Sequence, residues 1–381
     1  MGSGKILLCV NSDIGRSNTI GFRFGKIAIE LIRQGIPVDI IARANYTSSL
    51  KVRQPWLGNK LARVLNAIRI YIFPKFDSRR SDVYFFERFV LRALQKTGAK
   101  YSVAHLGEFM PTVTRYLKNQ GARVLLDMPI GHDSYSVALK RQGITVGVDV
   151  RPAPAYLDAA LAAADEVIVP SEFVASTLVS VGLGAVPMKR IPFGVARPTN
   201  FTVTDIISRL KQKPMIFLFA GNANYRKGLG YLLEAWRRAN LTDAKLIICG
   251  RVYKEIQGDI KKYQSATIQF TGFVSNINDY LKSAHAFVFP TLLEGSAKIV
   301  YEAMSYGLPV ITTANAGSLI EDNVDGYIIP LADPVTLADK LRFLYEHKDV
   351  VAVLGARAFA KVQAYTWERY AKAVIAEYQI N

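Results

Sequence analysis

Two glutamates eight residues apart, Glu294 and Glu302, fall in one strand–turn–helix segment. Phe289-Pro290 closes an apolar run, Glu294-Gly295 lies in the turn, and Ala297 to Tyr306 has helical spacing with Gly307 as its stop. Glu294 therefore stands at a helix mouth and Glu302 within the first two turns. A helix start at the carboxyl end of a strand offers unpaired N–H groups and a positive dipole, which together make an anion site. Carboxylates at such a site accept hydrogen bonds from hydroxyls. The pair suits a ligand that carries both a phosphate and a sugar. A second strand–loop–helix junction, Ala220 to Gly228, holds Asn222, Arg226 and Lys227 between Gly221 and Gly228. Two more loops follow apolar runs: Asn11 to Arg16, with Gly15, and Asp127 to Asp133, with His132. His105 is a rival histidine at the end of another run. There is no Asp-x-Asp pair and no His/Cys cluster with zinc-ligand spacing, so no metal site is expected.

These residues need a scaffold, and the hydrophobic pattern supplies one. Lys5 to Val10 reads as a short buried strand, Asn11 to Gly25 as a loop, Lys26 to Gln34 as a helix, and Val38 to Ile41 as the next strand. That is a βαβ opening, which implies a parallel sheet. Ala122 to Leu126 and Val167 to Val169 add strands. The same grammar restarts at Met215 to Ala220, with a helix over Gly228 to Ala239. Strands follow at Lys245 to Cys249, Ile268 to Phe270, Ala286 to Phe289, Val310 to Thr312 and Tyr327 to Ile329. The fold class is α/β, with two Rossmann-like parallel sheets facing a cleft. Ligands in such sheets bind beyond the carboxyl ends of the strands, so the residues just after Val10, Ala220, Cys249, Phe289 and Thr312 are where chemistry is expected. Pro192, Gly194 and Pro198 mark the junction. The expected divisions are 1–195, 196–364 and a last helix over 365–381, with Thr366 as its N-cap. With 381 residues, half of them hydrophobic and 21% charged, disorder is excluded. No run reaches the length of a membrane-spanning helix, and the first ten residues do not resemble a secretory signal. Cys9 and Cys249 lie in apolar runs and read as buried free thiols.

The Glu294–Glu302 segment resembles the E-x7-E signature of the retaining glycosyltransferases of family 4, of the bacterial polysaccharide and glycolipid type, on the GT-B fold. The resemblance spans about Glu166 to Tyr370 and, more loosely, the first strand and loop. It implies that Glu302 binds the ribose of a nucleotide diphosphate sugar and that Glu294 contacts the donor sugar. It also implies that Gly295 and the amides of Ser296, Ala297 and Lys298 hold phosphate or sugar oxygens. In the second loop the family carries an arginine after the first glycine and a lysine before the second, both on the diphosphate. Here the lysine position is Lys227, but the arginine position is Asn222, after Gly221; Arg226 is the candidate to compensate. Gly15 would let the backbone approach the donor or acceptor. His132 would orient a hydroxyl near the reacting sugar, and Val274 completes the donor-binding set. The last helix is expected to cross back to the first domain. No cofactor is implied beyond a UDP- or GDP-sugar as substrate.

Charge adds a separate signal. The net charge is +17, and residues 1–190 hold 26 basic against 14 acidic side chains. Arg43 to Arg123 alone holds 16 against 4. A concentrated basic patch points to nucleic acid, an anionic membrane surface or phosphorylated ligands. Leu61, Val64, Leu65 and Ile68 form one helix face, with Lys60, Arg63, Asn66 and Arg69 off it. Trp56, Tyr71, Phe73 and Phe76 flank it, and Tyr84-Phe85-Phe86 with Arg79, Arg80 and Arg88 extends the theme. This combination suits an anionic leaflet contacted through Lys51 to Arg92. The expected protein is cytoplasmic and peripheral on the inner face of the cell membrane, moving a hexosyl group to a saccharide or polyprenyl-linked acceptor. Two alternatives compete: a nucleotide-sugar epimerase on the same fold and, ranked last for want of any recognisable module, a nucleic-acid-binding protein.

Overall fold

The computed structural model describes residues 4–16, 19–55, 58–72, 78–147 and 153–379. In the first half the order is β1 (Ile6–Ile14), α1 (Ile20–Arg33), β2 (Val38–Asn45), α2 (Gly58–Tyr71), α3 (Ser78–Thr97), β3 (Val103–Leu106) and α4 (Pro111–Asn119). Then come β4 (Arg123–Asp127), α5 (Asp133–Arg141), α6 (Ala155–Ala163), β5 (Glu166–Val169), α7 (Glu172–Ser180) and β6 (Met188–Arg190). The second half runs α8 (Val203–Arg209), β7 (Met215–Ala220), α9 (Leu229–Ala239), β8 (Ala244–Cys249), α10 (Gln257–Lys262), β9 (Ile268–Gly272) and α11 (Asn278–Ser283). It closes with β10 (Ala286–Phe289), α12 (Lys298–Ser305), β11 (Val310–Thr313), β12 (Gly326–Ile329), α13 (Pro334–Glu346), α14 (Lys348–Val362) and α15 (Trp367–Ala376).

Among the described residues these strands make two six-stranded sheets, in the orders β2-β1-β3-β4-β5-β6 and β12-β11-β10-β7-β8-β9. Every pairing between them is parallel. Helices cover both faces, so the strands carry continuous apolar runs instead of alternation. Ile6, Leu7, Leu8, Cys9 and Val10 are all fully buried, as are Phe217, Leu218 and Phe219.

The first helix starts earlier than its polar surroundings suggest. Thr19 accepts the Phe22 N–H at 3.1 Å and caps α1 at Ile20, six residues before Lys26. β1 likewise runs on to Ile14. Gly21 lies so close to this strand end that a Cβ there would come within 2.4 Å of the Asp13 carbonyl. α15 packs on α1, and with the turn that follows it places Tyr370, Ala371, Val374, Ile375 and Tyr378 in the core of the first sheet, with Ile6 and Leu8. The Phe22 and Trp367 rings meet edge to face at 5.1 Å.

His105 is not in a loop: it lies inside β3, fully buried, with Nδ1 2.9 Å from the Tyr378 hydroxyl. Burial, aided by Arg23, pushes its pKa from 6.5 to about 3. His285, also fully buried, accepts the Ile216 N–H at 3.0 Å. Burial and then Arg209 lower it from 6.5 to about 4. Both histidines are neutral in the folded chain, whereas the unfolded chain protonates them near 6.5. Their contribution is therefore full above pH 6.5 and is lost as the pH falls towards 4, at about 1.4 kcal/mol per pH unit for each group. The urea midpoint at fixed ionic strength should drop between about pH 6.5 and 4.5; a flat midpoint over that interval would contradict the neutral state of both rings.

Candidate active site

A cavity of about 800 Å³ lies between the carboxyl ends of the two sheets. Its second-domain wall is built by two loops locked to one another. Asn224 accepts the Lys227 N–H at 3.1 Å and closes a single turn, Tyr225–Lys227. Gly228 then takes φ +75°, and a Cβ there would sit 1.9 Å from the Pro290 carbonyl. Only glycine combines that backbone angle with that approach. The Leu292 N–H and the Thr291 hydroxyl both donate to the Arg226 carbonyl, at 2.8 and 3.0 Å. The cationic loop after β7 is thus fastened to the acidic loop after β10.

This fastening brings Lys227, Arg226 and Glu294 together. Lys227 Nζ contacts Glu294 Oε1. Arg226 Nη1 donates to the Leu293 carbonyl at 3.0 Å and lies 3.4 Å from the same carboxylate oxygen. Burial, and then the Arg226 guanidinium, hold the Lys227 ammonium well below its ordinary pKa of 10.5; Glu294 provides the counter-charge. One helical turn supports the next pair, with Lys298 Nζ 2.9 Å from Glu302 Oε1. Arg226, Lys227, Lys298 and Glu302 all line the cavity, as do Gly221, Asn222 and Val274.

The remaining residues expected at the site are placed differently by the structure. The Ala297 N–H is already donated to the Ala316 carbonyl at 2.9 Å, so it is not open to a ligand. α12 begins one residue later, and Lys298 and Ile299, its first two residues, form the cavity wall. Their amides belong to the first turn, whose N–H groups point out of the helix start. The Ser296 hydroxyl is buried against the Tyr301 hydroxyl at 2.6 Å. Gly295 is a point of contact between domains: its carbonyl accepts the Ser171 hydroxyl at 2.5 Å, and the Gly131 N–H reaches the Glu294 carbonyl at 3.1 Å. His132 does not line the cavity. Its ring is 1% exposed, Nδ1 caps α5 by accepting the Ser134 N–H, and Nε2 lies 2.8 Å from Asp158. With both nitrogens engaged it is a helix cap, not a group presented to a sugar. Gly15, at φ +89°, turns the chain against the Tyr46 backbone, and Thr19 and Ile20 take the wall position instead.

The first-domain wall also contains residues that the sequence did not single out. Arg23 pairs with Asp127 at 2.9 Å and lies 4.3 Å from the centre of the Phe193 ring. Trp367 reaches the cavity from α15. Arg251, two residues past β8, lines it from the second domain, at one of the strand ends where chemistry was expected. Among the described residues no three His, Cys, Asp or Glu side chains are grouped to hold a metal ion.

Residues 214–347 match the family of glycosyl transferases, group 1. The group 1 match runs from β7 through α13 and so contains the whole second sheet with Lys227, Glu294 and Glu302. The amylovoran biosynthesis glycosyltransferase AmsK of Erwinia amylovora is 31% identical over 167 residues, which is 38% of this chain and 40% of that protein. The chain spans about two fifths of the length of the curated relatives it first matches. Similarity of structure extends over the entire chain. Sucrose-phosphate synthase from Thermosynechococcus elongatus superposes with a TM-score of 0.73 at 21% identity, covering 99% of this chain and 98% of that one. HepE of Anabaena, in complex with UDP-glucose, gives 0.61 at 15% identity, covering 98% and 99%. These likenesses show the fold, which is GT-B: two facing α/β domains with the cavity between them.

Proposed function

We propose that this protein is a retaining glycosyltransferase that moves a hexosyl group from a nucleotide diphosphate sugar to a hydroxyl of a lipid-linked or oligosaccharide acceptor. The observation that carries the reading is that Lys227 and Arg226, which meet Glu294, share with Glu302 the lining of one cavity between facing sheets. The group 1 match over this half supports it, and the UDP-glucose bound by HepE supports a UDP- or GDP-sugar as donor.

The chemistry follows from charge. When the bond from the sugar's anomeric carbon to the diphosphate breaks, negative charge builds on the departing oxygens. Lys227, Arg226 and the start of α12 would hold that charge in a site already organised for it. A diphosphate arriving at Lys227 would compete with Glu294 for the cation, leaving this carboxylate to accept from the sugar's hydroxyls. Glu302 would accept from the ribose. The acceptor oxygen would attack the face the diphosphate leaves, passing its proton to the departing phosphate oxygen. Such a step asks no carboxylate to act as nucleophile and no metal ion to hold the diphosphate.

The acceptor side of the proposal rests on α2 and α3. Leu65 is buried and Leu61 half-buried, but Val64, expected on the same face, is 55% exposed. Ile72, Tyr84 and Phe85 are exposed too, among exposed Lys60, Arg63, Arg80 and Arg92. Trp56, Phe73 and Phe76 lie outside the described residues, as do the side chains of Asn66, Arg69 and Tyr71. Exposed apolar side chains interspersed with exposed cations along α2 and α3 fit an anionic leaflet, which would place the enzyme on the inner face of the cell membrane, in the cytoplasm. Among the described residues no helix is long and apolar enough to cross a membrane.

A thermal-shift screen of UDP-, GDP-, ADP- and TDP-sugars tests the donor. A ligand at about one hundred times its Kd stabilises the folded state by about 2.7 kcal/mol, so one nucleotide should raise the melting temperature by several degrees. No shift with any of them would sink the reading. The donor so found, incubated alone, should remain unchanged; an isomerised sugar would favour the epimerase. Transfer should speed up on phosphatidylglycerol vesicles but not on phosphatidylcholine ones.

A further inference from the structure

Among the described residues five basic side chains line the cavity, and four of them are held by carboxylates. Arg23 is on Asp127, Arg226 and Lys227 are on Glu294, and Lys298 is on Glu302. The fifth, Arg251, is exposed. Its guanidinium carbon lies 5.7 Å from the centre of the Tyr253 ring, and among the described residues it makes no ion pair with a carboxylate. An unpaired guanidinium at the wall of a cavity suits an anion, because its fork of N–H groups matches two phosphate oxygens at once.

Backbone pairing says where this charge stands. β7 and β8 are in register up to Ala220 opposite Cys249. Beyond the sheet the same register resumes, with Ala223 bridged to Val252. The Gly221 N–H donates to the Cys249 carbonyl, and the Ala223 N–H to the Arg251 carbonyl, both at 2.9 Å. Asn222 and Arg251 are therefore opposite one another on adjacent chains, and both line the cavity. Side chains at opposed positions on neighbouring strands project to one side. The β7 loop presents a neutral amide at this place, and the β8 loop presents the cation.

We propose that Arg251 binds a phosphate of the donor's diphosphate, providing from the neighbouring strand the charge that Asn222 does not. The inference rests on the donor site proposed above. It assigns Arg251 a positioning and charge-stabilising role distinct from that of Lys227, whose ammonium is already engaged by Glu294.

The test is calorimetric titration of UDP and uridine, or GDP and guanosine if the wild-type protein prefers that base. Arg251→Gln should weaken the diphosphate by about tenfold or more, the size of one charge-assisted contact, while nucleoside affinity stays within about twofold of wild type. Asn222→Arg added to Arg251→Gln should restore the diphosphate to within about threefold, which a merely structural role for Arg251 would not allow. Unchanged diphosphate binding in Arg251→Gln would overturn the proposal. So would an equal loss of nucleoside binding, a failure of Asn222→Arg to restore, or a defect confined to UDP-glucuronate, which would place Arg251 on a sugar carboxylate. A wild-type protein that binds no nucleotide at all would instead sink the donor site itself.

Discussion

Lys227→Ala is expected to lower glycosyl transfer by about a thousandfold or more while moving the melting temperature by only a few degrees. Removing a single preorganised donor from a site of charge development costs about a hundred- to a thousandfold in turnover. Lys227 does more than a single donor, because it also holds Glu294 in place. The variant leaves that carboxylate with Arg226 at 3.4 Å as its remaining cation. Folding should survive, since Asn224 and Gly228 shape the loop through backbone and amide contacts that the substitution does not touch. Glu294→Ala should show the same loss. Wild-type turnover in either variant would refute the role. The wild-type pH profile carries a companion signature. Burial and Arg226 depress the ammonium pKa, so positive charge is lost on raising the pH sooner than for an ordinary lysine. The alkaline limb of transfer should lie below pH 10.5.

Gly295→Ala should cost about a hundredfold in transfer with both domains still folded. A Cβ at this position would fall 1.7 Å from the Pro129 carbonyl oxygen and 2.5 Å from its carbon. Both are backbone atoms of the opposite domain and cannot swing aside. The loop that would have to retreat is heavily tied: Leu293 is buried in the first-domain core, and Asn315 donates both to the Leu292 carbonyl at 2.9 Å and to the Tyr135 hydroxyl at 3.1 Å. The domains must part, carrying Glu294 away from the first-domain wall. A displacement of about 1 Å in a reacting geometry is enough for a hundredfold loss. Gly258→Ala is the control, because a Cβ there meets nothing within 4 Å. Equal turnover in the two variants would show that this contact does not set the active geometry.

The sheets were legible because buried parallel strands are unbroken apolar runs, as in Ile6 to Val10 and Met215 to Ala220, and because glycines punctuate their ends. The second-domain half of the site was legible for a related reason: Lys227, Glu294 and Glu302 sit on strand–loop–helix units whose periodicity is local. Contacts made across the fold were not. Nothing near Arg23 in sequence points to Asp127, 104 residues away, and Trp367 reaches the cavity only because α15 returns to α1. His132 and His105 were both drawn towards the cleft by position after an apolar run. One is a helix cap, however, and the other belongs to the strand itself. Periodicity puts a helix start at Ala297, but the Ala297 N–H bonds across to the Ala316 carbonyl and α12 starts at Lys298, a tertiary contact that local spacing does not encode.

The return of α15 has a consequence for biosynthesis. Tyr370, Ala371, Val374, Ile375 and Tyr378 complete an interior whose other buried members lie within the first 191 residues. On the ribosome, the domain translated first must wait with an apolar flank uncovered until the entire second domain has emerged. The earlier-made half is thus the later to mature, and the nascent chain presents that flank to chaperones while the second half is made.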